Sequence, residues 1–239
     1  MDHRVMGVIG ASGGLGVSTL AVALAVRAGQ LVGATVAVDA ARDGGALDVT
    51  ACLEHLPGLR WPDLAAVQGT LDGAALLQAL PAESTTRVLA GSVLQLGPDL
   101  LRAGVSGLAR VCGVVVLDLG RSPWLAEQCT DLLVVAGTSA RQLADASALA
   151  EQVHHVGRPA ALVLRTGRTG RTDPVEPEEV ALHLDLPLAG TLRDDPRVAV
   201  DADRARLPGS RSSGALASVV DSLLAVQPEE TWLAERVGA

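Results

Sequence analysis

The chain has 239 residues, 49% of them hydrophobic, which is enough for the core of one α/β domain or at most two small ones. Its formal net charge of −8 argues against a general affinity for nucleic acid or for an anionic lipid surface. Cys52, Cys112 and Cys129 match no disulfide or metal framework, and no apolar run reaches the ~20 residues of a membrane span. We therefore expect buried thiols in a cytoplasmic protein.

Short apolar runs alternate with helical patterns along the chain. Seven runs are predicted to be strands: residues 5–9, 35–38, 87–90, 114–117, 132–136, 160–164 and 188–192. Helices are predicted between them: residues 18–28, 71–79, 99–109, 139–153, 177–184 and 213–226. Most strand runs are continuously apolar, as expected when helices cover both faces of a sheet. The β-α-β order predicts a doubly wound, mostly parallel α/β sheet of about seven strands, with a single domain over residues 1–227 and a short tail over 228–239.

The first predicted strand runs into "GASGGLGVSTLA", residues 10–21, which fits two kinds of nucleotide site. Gly10, Gly14 and Gly16 have the G-x-x-x-G-x-G spacing of short-chain dehydrogenases, and Asp39 at the end of the second strand would then bind a ribose. Those enzymes use a Tyr as acid/base and a Lys four residues on, and the chain contains neither residue type. Their chemistry is excluded, whereas NAD(P) binding by a non-catalytic regulator stays open.

The same stretch also fits a phosphate-binding loop. The glycines of residues 13–16 allow main-chain N–H groups to turn towards an oxyanion, at the positive end of a helix that begins near Val17. Ser18 stands where a hydroxyl would hold Mg²⁺. Asp118 ends the strand in "VVVLDLG", where phosphate-loop proteins place a carboxylate for Mg²⁺, and Asp39 fits an additional acid. This interpretation predicts a Mg²⁺ site at Ser18, Asp39 and Asp118.

The loop resembles that of the MinD/ParA group of P-loop ATPases, which reads K-G-G-x-G-K-[ST]-[ST]. In that comparison Ser12 replaces the signature lysine of the group and Val17 replaces the lysine that grips the phosphates, while Ser18 and Thr19 agree. The stretch is closer still to the CpaE/TadZ-like branch, where G-G-V-G-A-S-T-L-A is common. Residues 44–81, which include "GLRWPDL", are similar to actinobacterial CpaE-like proteins encoded beside secretion ATPases, also called septum-site-determining proteins.

The resemblance continues through "VVVLDLGRSPW" to "GTLRDDPRVAVDADRARLPG" and so covers nearly the whole chain. The last segment is similar to the P-x-D-x-x-V adenine-side segment of the group, with Arg193 in place of the usual proline. The implied cofactor is ATP or ADP with Mg²⁺, bound weakly. The implied cofactor-binding residues are Ser12, Gly13, Gly14, Leu15, Gly16, Val17, Ser18, Thr19, Arg193, Asp194 and Asp195.

Three chemical parts of a working member of this group are missing. Val17 and Ser12 remove two cations, and Ala41 breaks the D-x-D pair that would begin at Asp39. Losing one such electrostatic group costs roughly 10²–10³ in rate, so we expect very slow hydrolysis or none. All 19 basic residues are Arg, so a lysine lost to codon bias would usually have become Arg rather than Val. Arginines that could supply a substitute cation in an active ATPase are Arg42, Arg121 and Arg193.

The resemblance implies a localisation or scaffold factor for a Tad-type pilus or secretion system, or for septum placement. Its expected partners are proteins of the secretion, pilus or division machinery, with a homodimer as one expected assembly. We expect no nucleic-acid partner, and contact with the membrane or the cell pole only through partners. Trp61 in "GLRWPDL" either fills the core or contacts a partner. Arg165, Arg168 and Arg171 are interpreted as a solvated basic loop.

Overall fold

The computed structural model describes residues 3–44, 46–67, 69–167 and 175–225, and this part of the chain contains one sheet with helices on both faces. The strands are β1 Arg4–Gly10, β2 Thr35–Asp39, β3 Ala82–Glu83, β4 Thr86–Leu89, β5 Val114–Asp118, β6 Asp131–Gly137, β7 Ala160–Thr166 and β8 Leu188–Arg193. The helices are α1 Val17–Val32, α2 Leu47–Thr50, α3 Gly73–Ala79, α4 Pro98–Ala109, α5 Ala140–Val156, α6 Pro177–Leu184, α7 Pro196–Ala202 and α8 Ala215–Ala225. Two 3₁₀ turns cover Trp61–Leu64 and Ala126–Gln128.

The sheet has the strand order β3-β4-β2-β5-β1-β6-β7-β8, and every pairing is parallel except that of β3 with β4. The predicted fold class, a doubly wound and mostly parallel α/β sheet, is confirmed. The eighth strand, β3, was not predicted because two residues carry no readable pattern. The helices α2, of four residues, and α7, of seven, were not predicted either.

Alternating side chains of the central strands enter two different cores. In β1, Val5 and Ile9 join the core formed with α3, α4, α5 and α6, whereas Met6 and Val8 join the core formed with α1, α2 and α8. Because both faces of the strand are covered, hydrophobic residues are favourable at every position, and this produces the continuous apolar runs of the sequence. The three cysteines are buried and free, as expected.

Trp61 belongs to the core rather than to a partner surface. Its side chain is fully buried, and a Cβ on Gly104 would lie only 2.8 Å from the indole ring, so the glycine leaves room for it. The indole Nε1 donates to the main-chain carbonyl of Asp39 at 2.7 Å. Arg168, Arg171 and the tail over 228–239 lie outside the described residues. None of the helices in the described ranges has the length and apolar character needed to cross a bilayer.

We expect Trp61→Phe to lower the free energy of unfolding by about 1–2 kcal/mol, because it removes a buried hydrogen-bond donor while keeping an aromatic ring in the core. Urea denaturation followed by circular dichroism measures this change. Trp124→Phe is the matched control, since its Nε1 also donates to a main-chain carbonyl, that of Ala40 at 2.9 Å, but from a partly buried position. An equal decrease in the free energy of unfolding for both variants would contradict the prediction that full burial makes the hydrogen bond of Trp61 the more stabilising one.

Candidate functional site

The segment between β1 and α1 forms an open main-chain loop. Gly14 and Gly16 have left-handed conformations, with φ of 75° and 85°, which glycine adopts without strain. A Cβ on Gly13 or Gly14 would meet no atom within 4 Å, so open space lies beside this part of the loop. No hydrogen bond of good geometry within the described chain uses the main-chain N–H groups of residues 13–16 as donors. The loop can therefore accept an anion at the N-terminus of α1.

Three adjoining cavities surround this loop. The largest, about 640 Å³, lies in front of the loop and is lined by residues 12–19 together with Ala41, Asp43, Gly44, Asp118, Gly120 and Arg121. A second, about 290 Å³, shares Ser18 and Asp118 with it and extends to Asp39, which defines the acid end of the site. A third, about 190 Å³, shares Gly14, Gly16 and Thr19 and extends to Arg165, Leu192, Arg193, Asp195, Val198 and Leu216 on the opposite side.

The acid end brings together the three predicted Mg²⁺ ligands. Asp39 and Asp118 are neighbours in the register of β2 and β5, and each is only 2% exposed. Asp118 accepts the N–H of Gly120 at 3.0 Å and has a hydrogen bond with the Ser18 side chain. Two main-chain N–H groups donate to the Asp39 carboxylate at 3.2 and 3.3 Å.

Burial governs the protonation of this carboxylate pair. It raises the pKa of Asp118, and it raises the pKa of Asp39 to about 7, with the charge of Asp118 as a further cause. Neither carboxylate takes part in an ion pair among the described residues. Two buried carboxylates beside a hydroxyl are oxygen ligands of the kind that Mg²⁺ prefers, so the residues present fit a divalent cation.

Three uncharged side chains occupy the positions at which the resemblance places charged groups. The Ser12 hydroxyl donates to Asp145 of α5 at 2.8 Å. Val17 lines the main cavity, and its Cγ2 atom lies 2.5 Å from where a Cβ on Gly10 would stand. Ala41 lines both the main cavity and the acid end. The structure thus brings the predicted positions together around the loop, and none of the three contributes a charge.

The three arginines proposed as substitute cations have different surroundings. Arg42 stacks on Trp124, with its guanidinium carbon 5.3 Å from the ring centre, so it is engaged outside the loop. Arg121 lines the main cavity, and its exposed guanidinium pairs with exposed Asp43 at 3.4 Å. Arg193 lines the third cavity. Arg42 is therefore the weakest of the three candidates.

Arg165 contacts the loop directly, and its assignment to a solvated loop was wrong. It lies in β7, which continues to Thr166, beyond the predicted end at residue 164. Its Nη1 donates to the Leu15 carbonyl at 3.1 Å, and its Nε donates to Asp194 at 3.0 Å. A signal was available, because ligands of parallel sheets bind at the carboxyl ends of strands and Arg165 stands close to one.

Of the predicted adenine-side residues, Arg193 and Asp195 line the third cavity, and the carboxylates of Asp194 and Asp195 have internal partners. Asp194 pairs with Arg165. Asp195 caps α7, accepting the main-chain N–H of Arg197 at 3.1 Å and its Nε at 3.0 Å. A role of these two carboxylates in binding a cofactor stays a prediction, whereas Arg193 borders the cavity without such a pair among the described ion pairs.

Strand order separates the two interpretations of the glycine loop. In the dinucleotide-binding fold, the first and second strands are neighbours at the centre of the sheet. Here β5 lies between β1 and β2 and pairs with both. This order places Asp118 rather than Asp39 in the strand next to the loop. The sheet is therefore not that of a Rossmann domain, and the NAD(P)-binding interpretation loses its structural basis.

Comparison of the sequence with known proteins found two curated relatives. No family model matches the chain. Two curated relatives, uncharacterized proteins from two strains of Mycobacterium tuberculosis, are 35% identical over 94% of this chain. The chain spans 64% of the length of these relatives.

Solved structures of three P-loop ATPases superpose on nearly the whole chain. A ParA family ATPase from Chlorobium tepidum has a TM-score of 0.81 at 18% identity, covering 94% of this chain and 100% of its own. A MinC:MinD cell division complex from Aquifex aeolicus has 0.76 at 14%, covering 94% and 97%. The septum site-determining protein MinD with Mg-ADP from Pyrococcus horikoshii has 0.75 at 17%, covering 97% of each chain. The chain therefore has the fold of the MinD/ParA P-loop ATPases.

Proposed function

We propose that this protein binds Mg·ATP or Mg·ADP weakly, hydrolyses ATP very slowly or not at all, and acts as a localisation or scaffold factor. The observation that carries the proposal is an open loop of main-chain N–H groups beside a buried acid pair, with Ser12, Val17 and Ala41 at the positions of the missing charges. Groups that would hold a nucleotide surround the loop, whereas Ser12, Val17 and Ala41 provide no charge that would accelerate its hydrolysis.

Binding is supported by groups that do not depend on lysine. The N–H groups of residues 13–16 and the N-terminus of α1 would hold phosphate oxygens. Ser18, Asp118 and Asp39 would hold Mg²⁺, which neutralises phosphate charge when it is bound. The MinD of Pyrococcus horikoshii, which shares this fold, has been solved with Mg-ADP. For this chain, the open loop and the acid end support the binding of a nucleotide with Mg²⁺.

Weak hydrolysis follows from the charges that the site lacks. Catalysis of ATP hydrolysis usually depends most on stabilising the negative charge that develops in the transition state. Each charged group that is lost from the site lowers the rate by roughly 10²–10³. Arg121 is the arginine lining the main cavity and could favour residual activity, which is the second candidate function. Its 58% exposure makes it a poor replacement for a cation held in the loop.

The scaffold role rests on resemblance and on the neighbouring folds. MinD of Aquifex aeolicus, a neighbour in fold, is solved in complex with MinC. The similarity of residues 44–81 to CpaE-like proteins extends this idea to a Tad-type pilus or secretion system, or to septum placement. We propose that residues 1–227 act as one nucleotide-binding domain with a tail over 228–239. A homodimer and partners from the machinery are part of the same proposal, with recruitment to the membrane or the cell pole through those partners.

Isothermal titration with Mg·ATP and Mg·ADP tests the binding step. We expect dissociation constants of about 0.1–1 mM, which corresponds to about 4–5.5 kcal/mol of binding free energy. No detectable heat at millimolar nucleotide would contradict the proposal. Protection against thermal unfolding by NAD(H), with none by Mg·ATP, would instead favour the dinucleotide interpretation that the strand order disfavours.

Phosphate release from ATP tests the hydrolysis step. We expect release at background level from the wild-type protein and no further decrease in Asp118→Ala. Release above background that Asp118→Ala abolishes would favour an active ATPase with a substitute arginine. Light scattering with and without Mg·ATP then reports whether nucleotide changes the assembly state.

A further inference from the structure

We infer that Arg165 supplies, from the nucleoside end of the loop, the cation that the loop itself lacks, so that the site binds nucleoside diphosphates and triphosphates with equal affinity. This inference rests on the proposed nucleotide binding and adds to it the residue that carries the charge. The site would then bind a nucleotide with the same affinity whether or not the γ-phosphate is present.

The position of Arg165 is set by contacts with the loop. Its Nη1 donates to the Leu15 carbonyl at 3.1 Å, and a Cβ on Gly16 would lie 2.8 Å from the same nitrogen. The guanidinium is therefore packed against the peptide between these two residues. The salt bridge with Asp194 holds it there from the other side, and its side chain is only 28% exposed. A restrained cation of this kind loses little freedom when a ligand arrives.

The guanidinium has donors left for a ligand. Arginine carries five N–H groups, and the bonds formed with described residues use Nε and Nη2 towards Asp194 and Nη1 towards Leu15. At least one N–H on each terminal nitrogen is not needed for these bonds. Arg165 lines the third cavity together with Gly14, Gly16 and Thr19, so these donors border the space beside the loop.

The two ends of the loop would receive different parts of a nucleotide. Ser18 and Asp118 would hold Mg²⁺ on the side of the β- and γ-phosphates, so the acid end would be the γ-phosphate end. The third cavity is on the opposite side of the loop and therefore receives the α-phosphate and the nucleoside. Arg165 lies at that side. The phosphates it can reach are those that ADP and ATP have in common.

The γ-phosphate end offers no comparable cation among the described residues. Val17 replaces the gripping lysine with an apolar side chain, and Arg121, which lines the main cavity next to this end, is 58% exposed, compared with 28% for Arg165. The γ-phosphate therefore adds a charge to the ligand without adding a contact to a cation of the protein, and Mg²⁺ would accompany ADP and ATP alike. Equal affinity for ADP and ATP follows, and the bound state would not report whether the nucleotide has been hydrolysed.

Titration calorimetry of Arg165 variants with Mg·ADP and Mg·ATP tests this inference. In the wild type we expect the two dissociation constants to agree within about threefold. Arg165→Gln should raise both by the same factor of about ten or more, because a charge-assisted hydrogen bond is lost. Arg165→Lys should recover most of the affinity. Arg158→Gln, which makes the same change before the other end of β7, is the matched control and should leave both constants unchanged.

Circular dichroism of each variant confirms that it is folded, and Arg165→Lys keeps the experiment informative should Arg165→Gln unfold. Wild-type binding that Arg165→Gln changes by less than twofold overturns the assignment of Arg165 alone. A loss confined to ATP also overturns it, because the residue would then act on the γ-phosphate. Absence of binding in the wild type overturns the proposed function itself, together with this inference.

Discussion

Val17→Lys is expected to tighten the binding of Mg·ATP by about 10- to 100-fold, the range that one charge-assisted contact with a phosphate supplies. Val17 is the first residue of α1, and its side chain lines the main cavity in front of the loop. A lysine there would place an ammonium group beside the β- and γ-phosphates. Affinity for Mg·ADP should increase less, because ADP lacks the γ-phosphate. Titration calorimetry with both nucleotides measures the difference.

Val17→Met is the matched control, because it lengthens the side chain without adding charge. An increase in affinity shared by both variants would attribute the effect to packing against Gly10 rather than to charge. We expect hydrolysis to stay slow in Val17→Lys, since Ser12 and Ala41 still lack their charges. Fast hydrolysis of ATP by Val17→Lys would contradict the prediction that the missing charges at Ser12 and Ala41 are enough to keep hydrolysis slow.

Between pH 5 and pH 8, the free energy of unfolding of the wild type is expected to fall by an amount on the order of 3 kcal/mol because of Asp39. The Asp39→Asn variant is expected to lack this decrease. Burial and the neighbouring Asp118 raise the pKa of Asp39 from 3.8 to about 7. Between these pH values the folded protein keeps a proton that the unfolded chain releases, so the free energy of unfolding falls as pH rises through this window. Above pH 7 the folded protein must hold the buried charge. Asparagine carries no charge, so the variant lacks this loss.

Urea denaturation at pH 5 and pH 8, in buffer with a chelator and without nucleotide, measures the effect. The stability of Asp39→Asn relative to the wild type should increase between the two pH values, even if lost hydrogen bonds make the variant less stable at pH 5. Asp99→Asn makes the same change at a carboxylate that is 97% exposed and is the control. If the stability of Asp39→Asn relative to the wild type does not change between pH 5 and pH 8, the pKa of Asp39 is not raised in the folded protein.

Local patterns were predictable from the sequence. The strand runs agree with the observed strands within two residues at each end, because strands covered on both faces need apolar side chains at consecutive positions. The loop was predictable as well. Its glycines adopt left-handed conformations, and they can do so because glycine has no Cβ, which is a property of the residue type itself. The loss of charge at Ser12, Val17 and Ala41 could also be seen without coordinates, since it depends on residue identity.

Contacts between distant segments were harder to predict. The role of Trp61 could not be decided, since core filling and partner contact favour the same residue type; burial against Gly104 and Asp39 decides it. Arg165 was assigned to a solvated loop because nearby glycines and arginines resemble one. The error arose because pairing with β8 extends β7 to Thr166, and strand pairing is a long-range property.

By itself, the sequence determined an α/β sheet, a glycine loop ahead of a helix, and the absence of the expected charges around it. These features depend on residue types and on spacing along one segment. The tertiary structure alone decided that β5 lies between β1 and β2, which sets Asp118 beside both the loop and Asp39. It also decided which arginine touches the loop. The physical reason is that strand order and side-chain contacts come from packing between segments far apart in the chain, and no local pattern records that packing.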